Sequence, residues 1–244
     1  MELTVIGHWG GYPKSGEASS GYLMEHDGFK LLMDCGSAVL SQLQSYIKPE
    51  ELKAVVLSHY HPDHVADIGV LQHALLIGKY INSTNFNLPI YGHQQDGLAF
   101  DALTYKNITT GIAYEQGKNL HIGPYTIEFL KTKHSVACFA MRISAGGKTL
   151  VYTADSAYFE ELTDFAKDAN ILLCESNFYK GMDAAVAGHM TSEEAGILAS
   201  KANVDKLILT HLPHFGDLKQ LVIEAKENFT GNVSLASQGF KISV

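Results

Sequence analysis

Apolar residues recur along this chain in two rhythms: short runs of strand length, and longer stretches with apolar positions three and four apart. Residues 2–8 read as a strand, and Trp9 to Ser20 as a loop rich in Gly and Ser. Tyr22–Glu25 and Phe29–Met33 form a predicted hairpin around Asp27-Gly28, a strong turn pair, which ends in Asp34-Cys35-Gly36. A helix is predicted from Ala38 to Tyr46, stopped by Pro49, and a buried strand over Ala54–Leu57. Ile68, Leu71 and Leu75 place a helix over Asp67–Lys79, followed by a polar loop over Asn82–Asn87. Then come a strand at Pro89–Tyr91, a helix near Gln94–Leu103, and strands at Ile108–Ala113, Leu120–Ile122 and Tyr125–Leu130. A second hairpin joins Val136–Ile143 to Lys148–Thr153 around Gly146-Gly147. The rest alternates: helix Phe159–Ala166, strand Ile171–Cys174, helix Ser192–Lys201, strand Lys206–Thr210, helix Leu218–Glu227 and a closing strand at Val233–Leu235. Strands interleaved with helices throughout, with no linker or repeat, suggest a layered α/β fold with mixed sheets.

The most informative stretch is Ser58-His59-Tyr60-His61-Pro62-Asp63-His64, directly after a buried strand. Imidazole and carboxylate are the side chains that hold borderline divalent metals such as zinc. In an extended segment residues two apart point the same way, so His59 and His61 can share one ion. Asp63 and His64 lie beyond Pro62, where the chain bends, and are free to face a second. The same theme recurs at other strand ends. Ile127–Leu130 leads to His134, Thr149–Thr153 to Asp155, and Lys206–Thr210 to His211. Ligand sites of α/β proteins collect at the carboxyl ends of strands. Each of these residues alone is more often a satisfied polar group, but four such endings around one His/Asp block indicate a shared site. Glu175, directly after a strand, and His189, just before a helix, are candidates for orienting ligands or moving protons. His8, His93 and His214 are candidates for pocket lining. His26, His73 and His121 read as surface or helix-face residues, and Trp9, Tyr158, Phe178 and Phe215 as loop aromatics near the strand ends.

Composition narrows the partners. The 244 residues carry a net charge of −8, with Arg142 the only arginine and lysines spread along the chain. Phosphate backbones are gripped by clustered Lys and Arg, so no extended nucleic-acid surface is expected. Cys35, Cys138 and Cys174 are odd in number and widely spaced, which reads as buried thiols in a reducing compartment. The most apolar stretch, Ile68–Gly78, is too short to span a membrane, and the strand-like start lacks a signal-peptide pattern. The expectation is a cytoplasmic protein with no membrane partner.

The H-x-H-x-D-H block, a lone His, a lone Asp after a strand and a late His resemble the metallo-β-lactamase superfamily. The resemblance is to its ribonuclease Z-like branch, and within that to bacterial metal-dependent hydrolases of the YhfI-like kind. Asp34-Cys35-Gly36, His134-Ser135-Val136, Thr153-Ala154-Asp155-Ser156, Leu173–Phe178, Gly188–Thr191 and Leu209-Thr210-His211 each resemble a motif of that branch, over essentially the whole chain. The resemblance implies a single domain over 1–244 with the αββα four-layer sandwich of two mixed β-sheets. It also implies two divalent metal ions, usually zinc, with manganese compatible with the same donors. His59, His61 and His134 would hold one ion and Asp63, His64 and His211 the other, with Asp155 bridging. Dimerisation is a further trait of the branch. Two features depart from tRNA processing: no Gly/Lys-rich arm stands between His64 and His134, and the loop Pro13–Ser20 has an acid and no arginine.

The function expected from these residues is a dinuclear phosphodiesterase that uses a metal-bridging hydroxide on a small phosphodiester or short nucleic acid. Asp63 would orient or deprotonate the attacking water. His189 would protonate the leaving alkoxide or steady the phosphoryl oxygen, and Glu175 would fix its tautomer. The alternative on the same scaffold is a thioester or lactone hydrolase similar to glyoxalase II. A tRNA 3′-processing endonuclease and a non-catalytic metal-binding protein are more distant readings.

Overall fold

A computed structural model describes residues 1–82 and 86–244, the side chain of Asn82 aside. Residues 83–85 of the polar loop predicted over Asn82–Asn87 lie outside the described residues. The strands of the first half are β1 (Glu2–Gly7), β2 (Gly21–His26), β3 (Phe29–Met33), β4 (Ala54–Val56), β5 (Leu88–Gly92) and β6 (Thr109–Ala113). They are followed by β7 (Leu120–Ile122), β8 (Tyr125–Lys131), β9 (Phe139–Ala145), β10 (Lys148–Tyr152), β11 (Ile171–Glu175), β12 (Lys206–Thr210), β13 (Asn232–Leu235) and β14 (Lys241–Ser243). The α-helices are α1 (Val39–Leu43), α2 (Pro62–Val65), α3 (Ile68–Asn82), α4 (Gly97–Asp101), α5 (Glu160–Ala166), α6 (Ser192–Lys201) and α7 (Leu218–Lys226).

One sheet has the order β14-β1-β2-β3-β4-β5-β6 and the other β13-β12-β11-β10-β9-β8-β7. Both are mixed. In the first, β14 through β3 pair antiparallel and β3 through β6 parallel. In the second, β7 through β10 pair antiparallel and β10 through β13 parallel. The two-residue period of strands explains the layering. Leu3, Val5, Tyr22, Met24, Leu31 and Met33 from one sheet meet Ile127, Phe129, Met141, Ile143, Leu150 and Leu173 from the other in a shared core. Their neighbours face outward. Leu23, Leu32, Val55 and Leu57 pack on Val39, Leu43, Leu71 and Leu75 of α1 and α3. Val151, Leu172, Leu207 and Leu209 pack on Leu162, Leu198 and Leu221 of α5, α6 and α7. Both faces of each sheet are covered, which is why these strands read as near-continuous apolar runs. The result is the four-layer αββα sandwich expected from the sequence. Among the described residues no helix is long and apolar enough to cross a membrane.

Several expected boundaries move. The helix expected over Ala38–Tyr46 shrinks to α1, because Ala38 sits in the left-handed region at φ 66° and cannot begin it. The strand expected from Val136 begins only at Phe139, since Ser135–Cys138 turn toward the metal block, where Phe139 N–H reaches Ser58 O. The helix near Gln94–Leu103 is confined to α4, capped by Asp96. Val233–Leu235 is not the closing strand: β14 follows it and pairs with β1 in the other sheet, a non-local pairing that no local pattern announces. The metal block also holds a short helical turn, α2, with Pro62 at its first position, where proline's fixed φ suits a helix start.

Candidate metal centre

The turn α2 divides the block into two parts. His61 is extended at φ −63°, ψ 147°, so His59 and His61 keep the strand-like arrangement that aims them together. Asp63 and His64 ride on α2 and face elsewhere. Donor atoms then converge in two groups that share Asp155, His59–His61–His134–Asp155 and Asp63–His64–Asp155–His211, and Glu175, His189 and His211 make a third beside them. His61 Nδ1 lies 3.1 Å from His59 Nε2 and 3.1 Å from His134 Nε2. In the second group His211 Nε2 is 3.0 Å from Asp63 Oδ2 and 3.4 Å from Asp155 Oδ2. His64 Nε2 is 3.3 Å from Asp155 Oδ1. All seven residues named from the sequence are therefore together at one edge of the two sheets.

The backbone explains how the strand ends reach this point. Strands β10, β11 and β12 run parallel and in register, Leu173 opposite Tyr152 and Thr210 opposite Glu175. Their carboxyl ends stop side by side. Beyond β10 the chain turns through Ala154 at φ 50°, and beyond β12 through His211 at φ 51°. Asp34, beyond β3, has φ 55°. Left-handed backbone at a residue other than Gly costs about 1–3 kcal/mol and persists only where the surroundings enforce it. Glycines clear the space: a Cβ on Gly10 would come within 2.8 Å of the His211 ring, and one on Gly188 within 2.9 Å of His134 Nδ1.

The donors fit metal ions better than they fit one another. Three imidazole nitrogens face a common point, and their short separations cannot all be satisfied by shared protons. Asp155 Oδ1 is buried and makes no aligned hydrogen bond, an orphaned anionic oxygen of the kind that marks an ion site. Burial, with neighbouring His64, keeps His59 well below the usual imidazole range, and burial with His134 lowers His61, so both offer lone pairs. Burial opposes ionisation of Asp155 and Asp63, but the surrounding imidazoles outweigh it and hold both carboxyls low. His64 is the exception: burial disfavours its charge, yet Asp155 and Asp34 raise its pKa well above the ordinary value. An ion bound there displaces that proton.

Partners behind the donors fix their aim. Asp34 Oδ2 accepts from His64 Nδ1 at 2.8 Å, from Ser58 Oγ at 2.8 Å and from Tyr152 OH at 3.0 Å. His134 Nδ1 donates to Gly188 O at 2.9 Å. Gly11 N–H donates to Asp63 Oδ2 at 2.7 Å. The loop bearing Gly11 is braced by His214, whose ring stacks on Tyr12 at 3.7 Å and lies 5.0 Å from Trp9. In the sequence Asp34 stands out as part of the Asp34-Cys35-Gly36 turn that resembles a motif of the ribonuclease Z-like branch, with no role of its own at the site. Its placement after β3, beside parallel β4, is the clue that sequence reading passed over. Gly11 offered none, because its contact spans 52 positions.

Glu175 and His189 lie beside the second group. His189 Nδ1 meets Glu175 Oε1 at 2.8 Å, and its ring is 5.2 Å from those of His134 and His211. Burial works against a charged His189, but Glu175 outweighs it and lifts the pKa to about 9. A cleft of about 450 Å³ opens over these residues, lined by His61, Asp63, His134, Asp155, His189 and His211, with Tyr12, His214 and Phe215 among its walls. Of the histidines considered for pocket lining, His214 does so, His93 lines a neighbouring cavity, and His8 lines neither. Trp9 is buried, its indole donating to Glu17 at 2.6 Å, whereas Phe215 is 46% exposed in the cleft wall.

Two mixed sheets with such a His/Asp donor set at their shared edge define a metallo-hydrolase. The family profile described as Beta-lactamase superfamily domain matches residues 30–212. The chain belongs to the metallo-β-lactamase superfamily. It is 53% identical over 240 residues to "Probable metallo-hydrolase YhfI" of Bacillus subtilis (strain 168), covering 98% of each chain. The crystal structure of that protein superposes with a TM-score of 0.98 at 51% identity, over 99% of this chain and 98% of that one. Ribonuclease Z of Borrelia duttonii (strain Ly) is 23% identical, covering 99% of this chain and 96% of that one. That alignment extends over 319 positions against 244 here, so the Borrelia protein contains segments this chain lacks.

Proposed function

We propose that this protein is a phosphodiesterase with two divalent ions, zinc or manganese, acting on a small phosphodiester. The observation that carries this reading is the Glu175–His189 pair, poised over a cleft that both donor groups share. His59, His61 and His134 would hold one ion and Asp63, His64 and His211 the other, with Asp155 between them. Such ions acidify a water for attack and offset charge on phosphate oxygens. Asp63, held by Gly11 N–H, would orient the attacking water, a role its low-lying carboxylate can fill. Glu175 accepts from His189 Nδ1, so Nε2 is the nitrogen turned to substrate. A protonated His189 would donate to the leaving alkoxide, a need that a thioester, whose thiolate leaves more readily, lacks. Among the described residues neither Lys nor Arg lines the cleft, which favours one small phosphate over a polyanion.

The test is a panel of bis-aryl phosphates, cyclic nucleotides, short RNA, thioesters and lactones, run with metal analysis on wild type and His189→Ala. The variant is expected to keep its metal and lose about 10²- to 10⁴-fold in kcat on phosphodiesters. Loss of metal would instead make His189 a ligand, and turnover confined to thioesters or lactones would overturn the phosphodiesterase reading.

A further inference from the structure

Beside the cleft lies a larger cavity, of about 820 Å³, that plays no part in the chemistry above. His61 lines both, so the two spaces adjoin at the metal site. Tyr60, His93, Asp96, Asp101, Leu98 and Val136 line the second one. The rings of Tyr60 and His93 are 4.4 Å apart, and Tyr60 OH donates to the His93 carbonyl at 2.6 Å. His93 is 2% exposed and its Nε2 has no hydrogen-bond partner. Leu98 and Val136 leave apolar surface uncovered at 88% and 42% exposure. Asp96 and Asp101 add two carboxylates, and among the described residues neither Lys nor Arg lines the cavity. Lys131, which bonds Gln95 Oε1 at 2.9 Å, is the cation at its border.

A phosphodiester has two ester arms, one leaving and one retained. Resting on the phosphodiesterase reading, we propose that this cavity receives the retained arm and selects one that carries an ammonium group. Two carboxylates attract the cation, and Leu98, Val136 and Tyr60 cover its carbon atoms. An anionic arm meets like charge there. Because both carboxylates are exposed, the selection is modest, roughly threefold to tenfold, and fades with salt.

Two probes isolate the charge: phosphorylcholine and its uncharged isostere 3,3-dimethylbutyl phosphate. Calorimetry on zinc-loaded protein is expected to give roughly threefold to tenfold tighter binding of phosphorylcholine. The ratio should fall toward unity in Asp96→Asn/Asp101→Asn and at high salt. The pair is suited to this because Asn retains the cap that Asp96 makes on Ala99 N–H, and neither residue touches the donor groups. Equal binding of the two probes, or a preference that survives the double substitution, would overturn the inference. The p-nitrophenyl diesters of the same two arms complete the test. If neither is cut while the binding preference stands, the phosphodiesterase reading fails and the cavity's selectivity remains.

Discussion

Asp34 belongs to neither donor group, yet it sets the direction of one. Its carboxylate receives His64 Nδ1, Ser58 and Tyr152 together, which leaves His64 Nε2 for the second ion site. Removing that acceptor charge frees the ring to rotate and lowers its basicity. Asp34→Asn is therefore expected to weaken metal binding by about 10- to 100-fold, read by competition with a chelator dye. Asp155 acts differently, because it stands in both groups. Asp155→Ala should leave fewer than two ions per chain by elemental analysis, and full occupancy would refute its bridging role.

At the scale of elements, the site depends on where β3 and β4 hand the chain to their loops. Cys35 N–H bonds His64 O at 2.8 Å, and Ser20 N–H bonds Asp63 O at 3.1 Å, so the turn after β3 and the residue before β2 together clamp the backbone of α2. Gly36 makes this contact close: a Cβ there would come within 1.9 Å of the Asp63 carbonyl oxygen. Backbone cannot swing aside as a flexible side chain does. Gly36→Ala should cost about 1–3 kcal/mol and lower the melting temperature by roughly 2–12 °C, with weakened metal binding as α2 shifts. An unchanged melting curve would show that the clamp is looser than the geometry indicates.

At the scale of the molecule, stability and site are coupled through protonation. In chelator-treated protein His189 has a folded-state pKa of about 9, above its ordinary 6.5. A raised pKa means the folded state holds the proton more tightly. The stabilisation is full below pH 6.5 and is lost as pH rises to about 9. Denaturant titrations should show the advantage of wild type over His189→Gln shrinking across that window. An advantage that grows with pH would reverse the sign of the Glu175–His189 coupling.

Short apolar runs of strand length were enough to read most strands and the layered α/β class, because strands covered on both faces are apolar along their length. The seven candidate ligands could be named too, because one dense His/Asp block and several polar strand ends together point to a shared edge, where each residue alone would not. Helix ends were less so: α1 is shortened by a left-handed Ala38 that its sequence does not demand. The pairing of β14 with β1, the clamp of Gly36 on Asp63, and the reach of Gly11 to Asp63 were decided only by the tertiary structure. Each joins positions far apart in the chain, where no periodicity carries information. The same holds for the cavity beyond His61, whose walls come from three separate stretches and exist only once the sheets have packed.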